Sequence, residues 1–257
     1  MTTEKLYSFL EKRLSRALSQ DWDNDGLACL PKENNEVRRV LIALDASEAA
    51  VERAVTGGFD LLLTHHPLLF RGVKELTPSN TVARKLLKLA RATVAAASFH
   101  TRLDAAKGGV NDILAQRLGL CDVQPFAPEG EVPCGRIGKL QRPTSARELA
   151  LSVREALHAP AVTLAGEREV QTVAVLGGEG GDFVQAALAA GADAFLSGRI
   201  GYHAMQDAAE EGLCLIEAGH YATEFPVCEE LARLVREADA SIEIEIMNAP
   251  VIQTLAQ

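Results

Sequence analysis

Apolar positions along the 257-residue chain recur in two alternating rhythms. Leu6, Phe9, Leu10, Leu14 and Leu18 fall at helical spacing with charges between them, which predicts an amphipathic helix over residues 4–18. Val37–Leu44 reads as a strand, and Asp45-Ala-Ser-Glu48 has the layout of a capping box opening a helix through Val55, stopped by Gly57-Gly58. Strand Phe59–Thr64, helix Val82–Arg91, strand Thr93–Phe99 and a helix over Val110–Leu118 follow. A second capping box, Ser145-Ala-Arg-Glu148, opens a helix ending near His158. Beyond it come strand Val170–Leu176, helix Phe183–Ala190, strand Ala192–Leu196, helix Tyr202–Glu211, strand Leu213–Glu217 and a helix from Pro226 to Ala238. Ile242, Ile244 and Ile246 alternate with polar residues, the mark of a strand with one wet face. Strands alternating with helices predict an α/β fold.

The pattern also repeats. A gapless shift of 133 positions lays Val37–Thr64 on Val170–Ser197, with Val37, Val40, Val51, Ala54, Gly58, Asp60 and Leu63 on identical residues. A shift of 120 lays His100-Thr-Arg-Leu-Asp104 on His220-Tyr-Ala-Thr-Glu224, so each copy offers a histidine with a carboxylate four residues later. Duplication into two lobes is the reading these matches favour. The Pro- and Gly-rich stretch Pro125–Gly138 is taken as a lobe boundary, giving a discontinuous first lobe of residues 1–125 with 218–257 and a second lobe of 126–217.

Composition narrows the function. Hydrophobic residues make up 47% of the chain, as in a folded globular protein. A net charge of −9 argues against a general nucleic-acid binder or a ligand for anionic membranes, although a local metal-centred site still attracts phosphate. Apolar runs are too short to span a membrane, and Met1-Thr2-Thr3-Glu4-Lys5 lacks the layout of a secretory signal, so a cytoplasmic location is expected. The five cysteines are widely spaced with no Cys-x-x-Cys, consistent with reduced thiols, so any bound metal must draw on nitrogen and oxygen.

Those donors sit at strand ends. Leu61-Leu-Leu-Thr-His65-His66-Pro67 ends an apolar run in two imidazoles, and His100 and His220 each follow another such run. In open α/β sheets, sites lie beyond the carboxyl ends of strands. A lone histidine there is more often a core or loop residue than a ligand. Together, His65, His66, His100, Asp104, His220 and Glu224 make a metal site the better reading. Adjacent extended residues point apart, so His65 and His66 suit two different ions. The residues within each His-x-x-x-carboxylate look like loop, and no shared helix face is expected. The donors suit two divalent ions drawn from Zn, Fe, Mn, Co or Ni, and two carboxylates leave residual positive charge for a small anionic substrate. A two-metal centre lowers the pKa of a bridging water and polarises the bond under attack, which favours hydrolysis. His158 reads as a helix-end residue, and His203 as either a support or a surface residue. Gly177-Gly-Glu-Gly-Gly181 is either an anion cradle or a tight connection, and Trp22-Asp23-Asn24 either lines the site or anchors the first helix.

With these tracts in view, the sequence resembles the GTP cyclohydrolase I type 2 homologues, also called NGG-one-interacting-factor-three-like proteins, in their short bacterial form. The likeness rests on Trp22-Asp-Asn24 with Gly26, Thr64-His-His-Pro67 with Phe70, and His100-Thr101 with Leu103-Asp104. Gly108-Gly-Val-Asn-Asp112, Ala192-Asp193 with Ser197-Gly198, and Gly219-His-Tyr-Ala-Thr-Glu224 complete an ordered set along nearly the whole chain. The resemblance implies two intertwined, duplicated α/β lobes with mixed sheets, a dinuclear metal site between them and a toroidal homohexamer. On matching positions it implies His66 and Asp104 at one metal, His65 and His220 at the other, and Glu224 bridging, with His100 beside them for proton transfer. Arg199 departs from the acidic residue that members often carry after the second-lobe Ser-Gly. The expected activity is a dinuclear metal-dependent hydrolase of a nucleotide-like or phosphorylated small molecule, extending to opening of the guanine ring of GTP, with His100 and Glu224 in catalytic roles. The alternative is a non-catalytic, metal-binding hexameric scaffold or regulator.

Overall fold

The computed structural model describes residues 1–129 and 132–254. Gly130 and Glu131, inside the stretch where a lobe boundary is expected, lie outside the described residues. In chain order the elements begin α1 (Thr3–Arg13), β1 (Gly26–Cys29), β2 (Arg39–Ala43), α2 (Glu48–Thr56), β3 (Leu61–Thr64), α3 (Thr81–Arg91) and β4 (Ala95–Ser98). They continue α4 (Thr101–Ala105), α5 (Val110–Arg117), β5 (Cys121–Glu129), β6 (Val132–Ser145), α6 (Ala146–Ala156), β7 (Thr163–Ala165) and β8 (Glu169–Glu179). The last are α7 (Val184–Ala189), β9 (Ala194–Arg199), α8 (Tyr202–Glu210), β10 (Cys214–Glu217), α9 (His220–Glu224), α10 (Val227–Ala238) and β11 (Glu243–Met247).

The described residues divide into two compact units, Met1–Leu103 with Val227–Val251, and Asp104–Pro226 with residues 252–254. The first holds a mixed sheet in the order β1-β4-β3-β2-β11, parallel except for β1. Leu41, Ala43, Leu62 and Ala96 pack with Ala50, Val51 and Ala54 of α2 and Leu89 of α3. Successive strand residues face opposite ways, and Val40, Ile42, Leu61 and Leu63 are also buried. Strands covered on both faces need such unbroken apolar runs. The second unit holds a mixed sheet in the order β5-β6-β8-β9-β10-β7, with β8, β9 and β10 parallel. Its core gathers Ala174, Leu176, Phe195 and Leu215 against Val184 and Ala187 of α7 and Met205 and Ala208 of α8.

The duplication is visible in hydrogen bonds. Val40 pairs with Leu61 and Ala43 with Thr64 in the first unit. In the second, Val173 pairs with Ala194 and Leu176 with Ser197, each displaced by the same 133 positions. The Asp60 carboxylate accepts from Arg38 N at 2.8 Å and Arg39 N at 2.9 Å. Asp193 accepts from the matching Gln171 N at 3.0 Å and Thr172 N at 2.8 Å. Each aspartate thus satisfies two N–H groups where the neighbouring strand begins, a structural reason for that identity. The next strands fit a shift of 119, since Leu61 pairs with Ala95 and Ala194 with Cys214. The histidines fit 120, so the second copy carries one extra residue between strand and histidine. Gly219 ends that connection with φ +89, a conformation glycine adopts without steric cost.

Two local expectations change. Ser47, rather than Asp45, caps α2, its hydroxyl accepting from Ala50 N at 3.1 Å. The second capping box forms as read, with Ser145 and Glu148 bonded reciprocally. The Gly177–Gly181 segment is largely strand, because β8 runs on to Glu179 after an irregularity past Leu176. Among the described residues no helix is long and apolar enough to cross a membrane.

Candidate metal centre

In the first unit, β3 ends at His65-His66 and β4 ends just before His100. The three imidazoles cluster, with ring centroids 4.9 Å apart for His65–His66, 5.3 Å for His65–His100 and 5.5 Å for His66–His100. Each offers a ligand nitrogen within 4.8 Å of the others, a grouping able to hold a metal ion. In every ring Nδ1 meets an oxygen: Phe99 O at 2.9 Å from His65, Asp45 Oδ1 at 2.7 Å from His66, and Asp23 Oδ1 at 3.0 Å from His100. A carbonyl or ionised carboxylate only accepts, so Nδ1 carries the proton and Nε2 holds the lone pair of the neutral ring. Metal-ligating histidines use this arrangement, with the second nitrogen fixed by an oxygen. Asp45, freed from capping α2, has this second task.

Asp23 and Asp25 place the third imidazole. Asp23 Oδ2 accepts from Thr101 N at 3.0 Å and Thr101 Oγ1 at 2.6 Å. Burial alone would raise the Asp23 carboxyl, but the hydrogen bond from His100, the attraction of that ring when protonated, and the Thr101 donors hold it at about 2. Asp25 Oδ2 accepts from His100 N at 2.9 Å and from Arg102 Nε at 2.8 Å, while Asp25 Oδ1 accepts from Arg102 Nη2 at 2.9 Å. Arg102 is fully buried, its guanidinium 4.7 Å from the Phe99 ring centroid. Trp22 and Phe70 both lie edge-on to His100, at 6.1 and 6.3 Å between centroids. Trp22-Asp23-Asn24 therefore flanks and orients His100, and Asn24 also donates to Leu69 O.

The Asp23 carboxyl makes a pH prediction. Its folded value near 2 lies below the ordinary 3.8. Its contribution is therefore present above pH 3.8 and fades as pH falls towards 2. Asp23→Asn should lower the stability of chelator-treated protein by about 2 kcal/mol at pH 7. Denaturant melts should show that difference shrinking at pH 3, and an equal loss at both pH values would refute the linkage.

In the second unit, His220 and Glu224 stand one turn apart on α9, with Nε2 and Oε2 at 3.0 Å. This corrects the expectation of loop between them, because residues four apart on a helix share a face. Glu224 is buried. Thr223 ties α9 to β8, accepting from Gly178 N at 3.2 Å. Gly177 N donates to Asn111 Oδ1 at 2.8 Å and Gly180 N to Arg199 O at 2.8 Å. These amides are engaged within the unit, so the glycine run serves as a close seat for α9 and not as an anion cradle. Asn111 Nδ2 also donates to Asp104 O at 3.3 Å and Cys134 O at 2.7 Å, fixing the main chain at Asp104. His203 is exposed beside Tyr202, and His158 sits at φ +50 just past α6. Arg199 is exposed, 3.8 Å from Glu179.

Asp25, Asp45, Arg102 and Asn111 are the supports that the sequence reading did not assign. Asp25 was visible only within the acidic stretch Asp21–Gly26, Asp45 only in the capping layout and Asn111 only in the Gly108–Asp112 tract.

These features define a class: a duplicated α/β protein with histidine and carboxylate groups able to bind metal. The family described as Duf34/NIF3 (NGG1p interacting factor 3) matches residues 1–254, and the chain belongs to it. A GTP cyclohydrolase 1 type 2 homolog of Streptomyces coelicolor is 39% identical over 221 residues, covering 82% of this chain and 77% of that protein. A protein of the same name from Clostridium perfringens is 32% identical, covering 88% of each chain. The crystal structure of a Bacillus cereus protein related to NIF3 superposes with a TM-score of 0.91 at 22% identity, over 100% of this chain and 99% of the other.

Proposed function

We propose that this chain is a dinuclear metal-dependent hydrolase acting on nucleotide-like or otherwise phosphorylated small molecules, a class that includes opening of the guanine ring of GTP. The observation that carries this reading is the common tethering of Nδ1 in His65, His66 and His100, which leaves the Nε2 lone pairs of His65 and His66 for ligation and that of His100 for proton transfer. In this assignment His65, His66, Asp104, His220 and Glu224 would supply the donors for two divalent ions. Imidazole and carboxylate donors fit Zn, Fe, Mn, Co or Ni. The names of the relatives support the nucleotide direction.

When bound, such an ion pair makes water more acidic and polarises the bond under attack. The chain's residues supply the rest. Asp23 holds the Nδ1 proton of His100 and stabilises the imidazolium, so Nε2 takes up a proton and returns it to the leaving group. Asp104 and Glu224 offset half the charge of two divalent ions, and the remainder draws an anionic substrate. The same reading places the protein in the cytoplasm as a toroidal homohexamer, which sedimentation in solution tests.

Metal analysis after supplementation should give close to two ions per chain, and a nucleotide and phosphoester screen should find turnover. Glu224→Gln keeps the shape and removes the charge, and should cut that turnover by about 100-fold or more. Metal content well below one ion per chain would sink the site assignment. Full occupancy without turnover sensitive to Glu224→Gln would instead assign the non-catalytic scaffold.

A further inference from the structure

Two of the large apolar side chains exposed on this chain meet beside the imidazole cluster. Trp22 is 52% exposed and Phe70 is 48% exposed. Their rings are 6.0 Å apart at 63°, and they meet the His100 ring at 72° and 80° respectively. Three ring planes are thus steeply inclined to one another around one point. Folding alone gives no reason to leave two such surfaces in water, since each would gain by burial. The local framework nevertheless holds them there. Asn24, two residues after Trp22, donates to Leu69 O and fastens the turn carrying Phe70. Asp23, between them in sequence, holds His100.

We infer that Trp22 and Phe70 form the seat for a planar heteroaromatic ring of the substrate, so that the chain selects nucleobase-bearing molecules over plain sugar phosphates. Aromatic rings pair best in offset-stacked or edge-to-face geometry. A planar ring stacked on Trp22 is edge-on to planes inclined as those of Phe70 and His100 are, so one placement satisfies both preferences. Every nucleobase has a π-face, and stacking on exposed aromatics is a sequence-tolerant way to hold one. The rings contact the His100 side of the cluster, which would leave the polar end of a nucleotide to the donors of the candidate metal centre. The inference rests on the proposed hydrolase reading for the identity of the site and adds the residues that recognise the base.

The chain's single tryptophan is its own reporter. Guanosine titrated into the full-length, metal-supplemented protein should quench Trp22 fluorescence saturably, and ribose 5-phosphate should not. By calorimetry, Phe70→Ala and Trp22→Leu should each weaken guanosine binding by about 5- to 150-fold, the range for loss of one stacking partner. Trp22→Phe should recover most of that loss, and ribose 5-phosphate binding should not change in any variant. Both side chains are about half exposed, so the variants should fold, and circular dichroism checks this. Absence of guanosine binding, or unchanged affinity in both Phe70→Ala and Trp22→Leu, overturns the inference. Turnover that responds to Glu224→Gln but not to the two rings would overturn it while leaving the hydrolase reading intact. Ring-dependent guanosine binding without turnover would support it while removing the hydrolase reading.

Discussion

Arg102→Met is expected to destabilise the protein by about 3–5 kcal/mol, the cost of leaving one member of a buried ion pair without its partner. The Arg102 and Asp25 side chains are both fully buried and meet through two hydrogen bonds, at 2.8 and 2.9 Å. Burial opposes the guanidinium charge, but the Asp25 carboxylate outweighs it and pushes the Arg102 pKa upward. Arg102 Nη1 also donates to Leu14 O at 3.1 Å, a carbonyl at the end of α1, and lies 3.6 Å from Glu11 Oε1. Methionine would fill much of the space, yet it would leave the buried Asp25 carboxyl without its guanidinium partner. Arg16 Nη1 lies 3.2 Å from Asp25 Oδ1 and recovers only part of the loss. For a chain of this size the melting temperature should fall by about 10 °C. Because Asp25 also accepts from His100 N, metal content should fall with stability. The double variant Arg102→Met with Asp25→Leu removes both charges and should be more stable than Arg102→Met alone. Calorimetric melts of the three proteins decide the matter, and a single variant within 1–2 °C of wild type would show that the pair is dispensable.

The weight of this ion pair was hidden in the sequence for a physical reason. Arginine is rarely buried, and Arg102 lies among residues that look like loop. The carboxylate that holds it arrives from a turn 77 positions away, beyond the reach of local pattern. What periodicity conveyed was the scaffold. Apolar runs at Leu61–Thr64 and Ala95–Ser98 form strands, and the imidazoles at their ends gather in the first unit. The internal match was also physically meaningful, since the shift of 133 is the pairing register itself and the Asp60–Asp193 identity is a shared capping task. Short elements were the weak point. Five residues from His220 to Glu224 hold barely more than one helical turn, too few for a period to show. Likewise β1, paired antiparallel to β4, is four residues long, too short for a period to stand out. At Asp45 the local signal was ambiguous, because Ser47 and Asp45 are both good caps. Tertiary structure settled it, with Asp45 bonded to His66.

Gly178→Ala should uncouple metal binding from the fold through a clash of a single methyl group. Gly178 sits at φ +71, and a Cβ there would overlap Glu224 Oε1 and lie 3.3 Å from His220 Nε2. No real carbon approaches a carboxylate oxygen that closely, so the Glu224 side chain must leave its position or the backbone must shift. The backbone is held, because Gly178 N donates to Thr223 Oγ1 at 3.2 Å and Gly178 O accepts from Ser197 Oγ at 3.2 Å. The carboxylate therefore gives way. Alanine at positive φ also costs roughly 1–2 kcal/mol by itself, a loss that must be separated from the clash. Gly191→Ala supplies the control: its φ is +75, and a Cβ added there meets nothing within 4 Å. Both variants should lose similar stability from backbone strain. Only Gly178→Ala should lose metal, by about 10- to 100-fold in affinity, the range seen when the surroundings of a ligand are disturbed. Competition against a chelator measures this directly and does not depend on the substrate. If Gly178→Ala bound metal as tightly as Gly191→Ala, the proposed role of Glu224 as a ligand would be refuted.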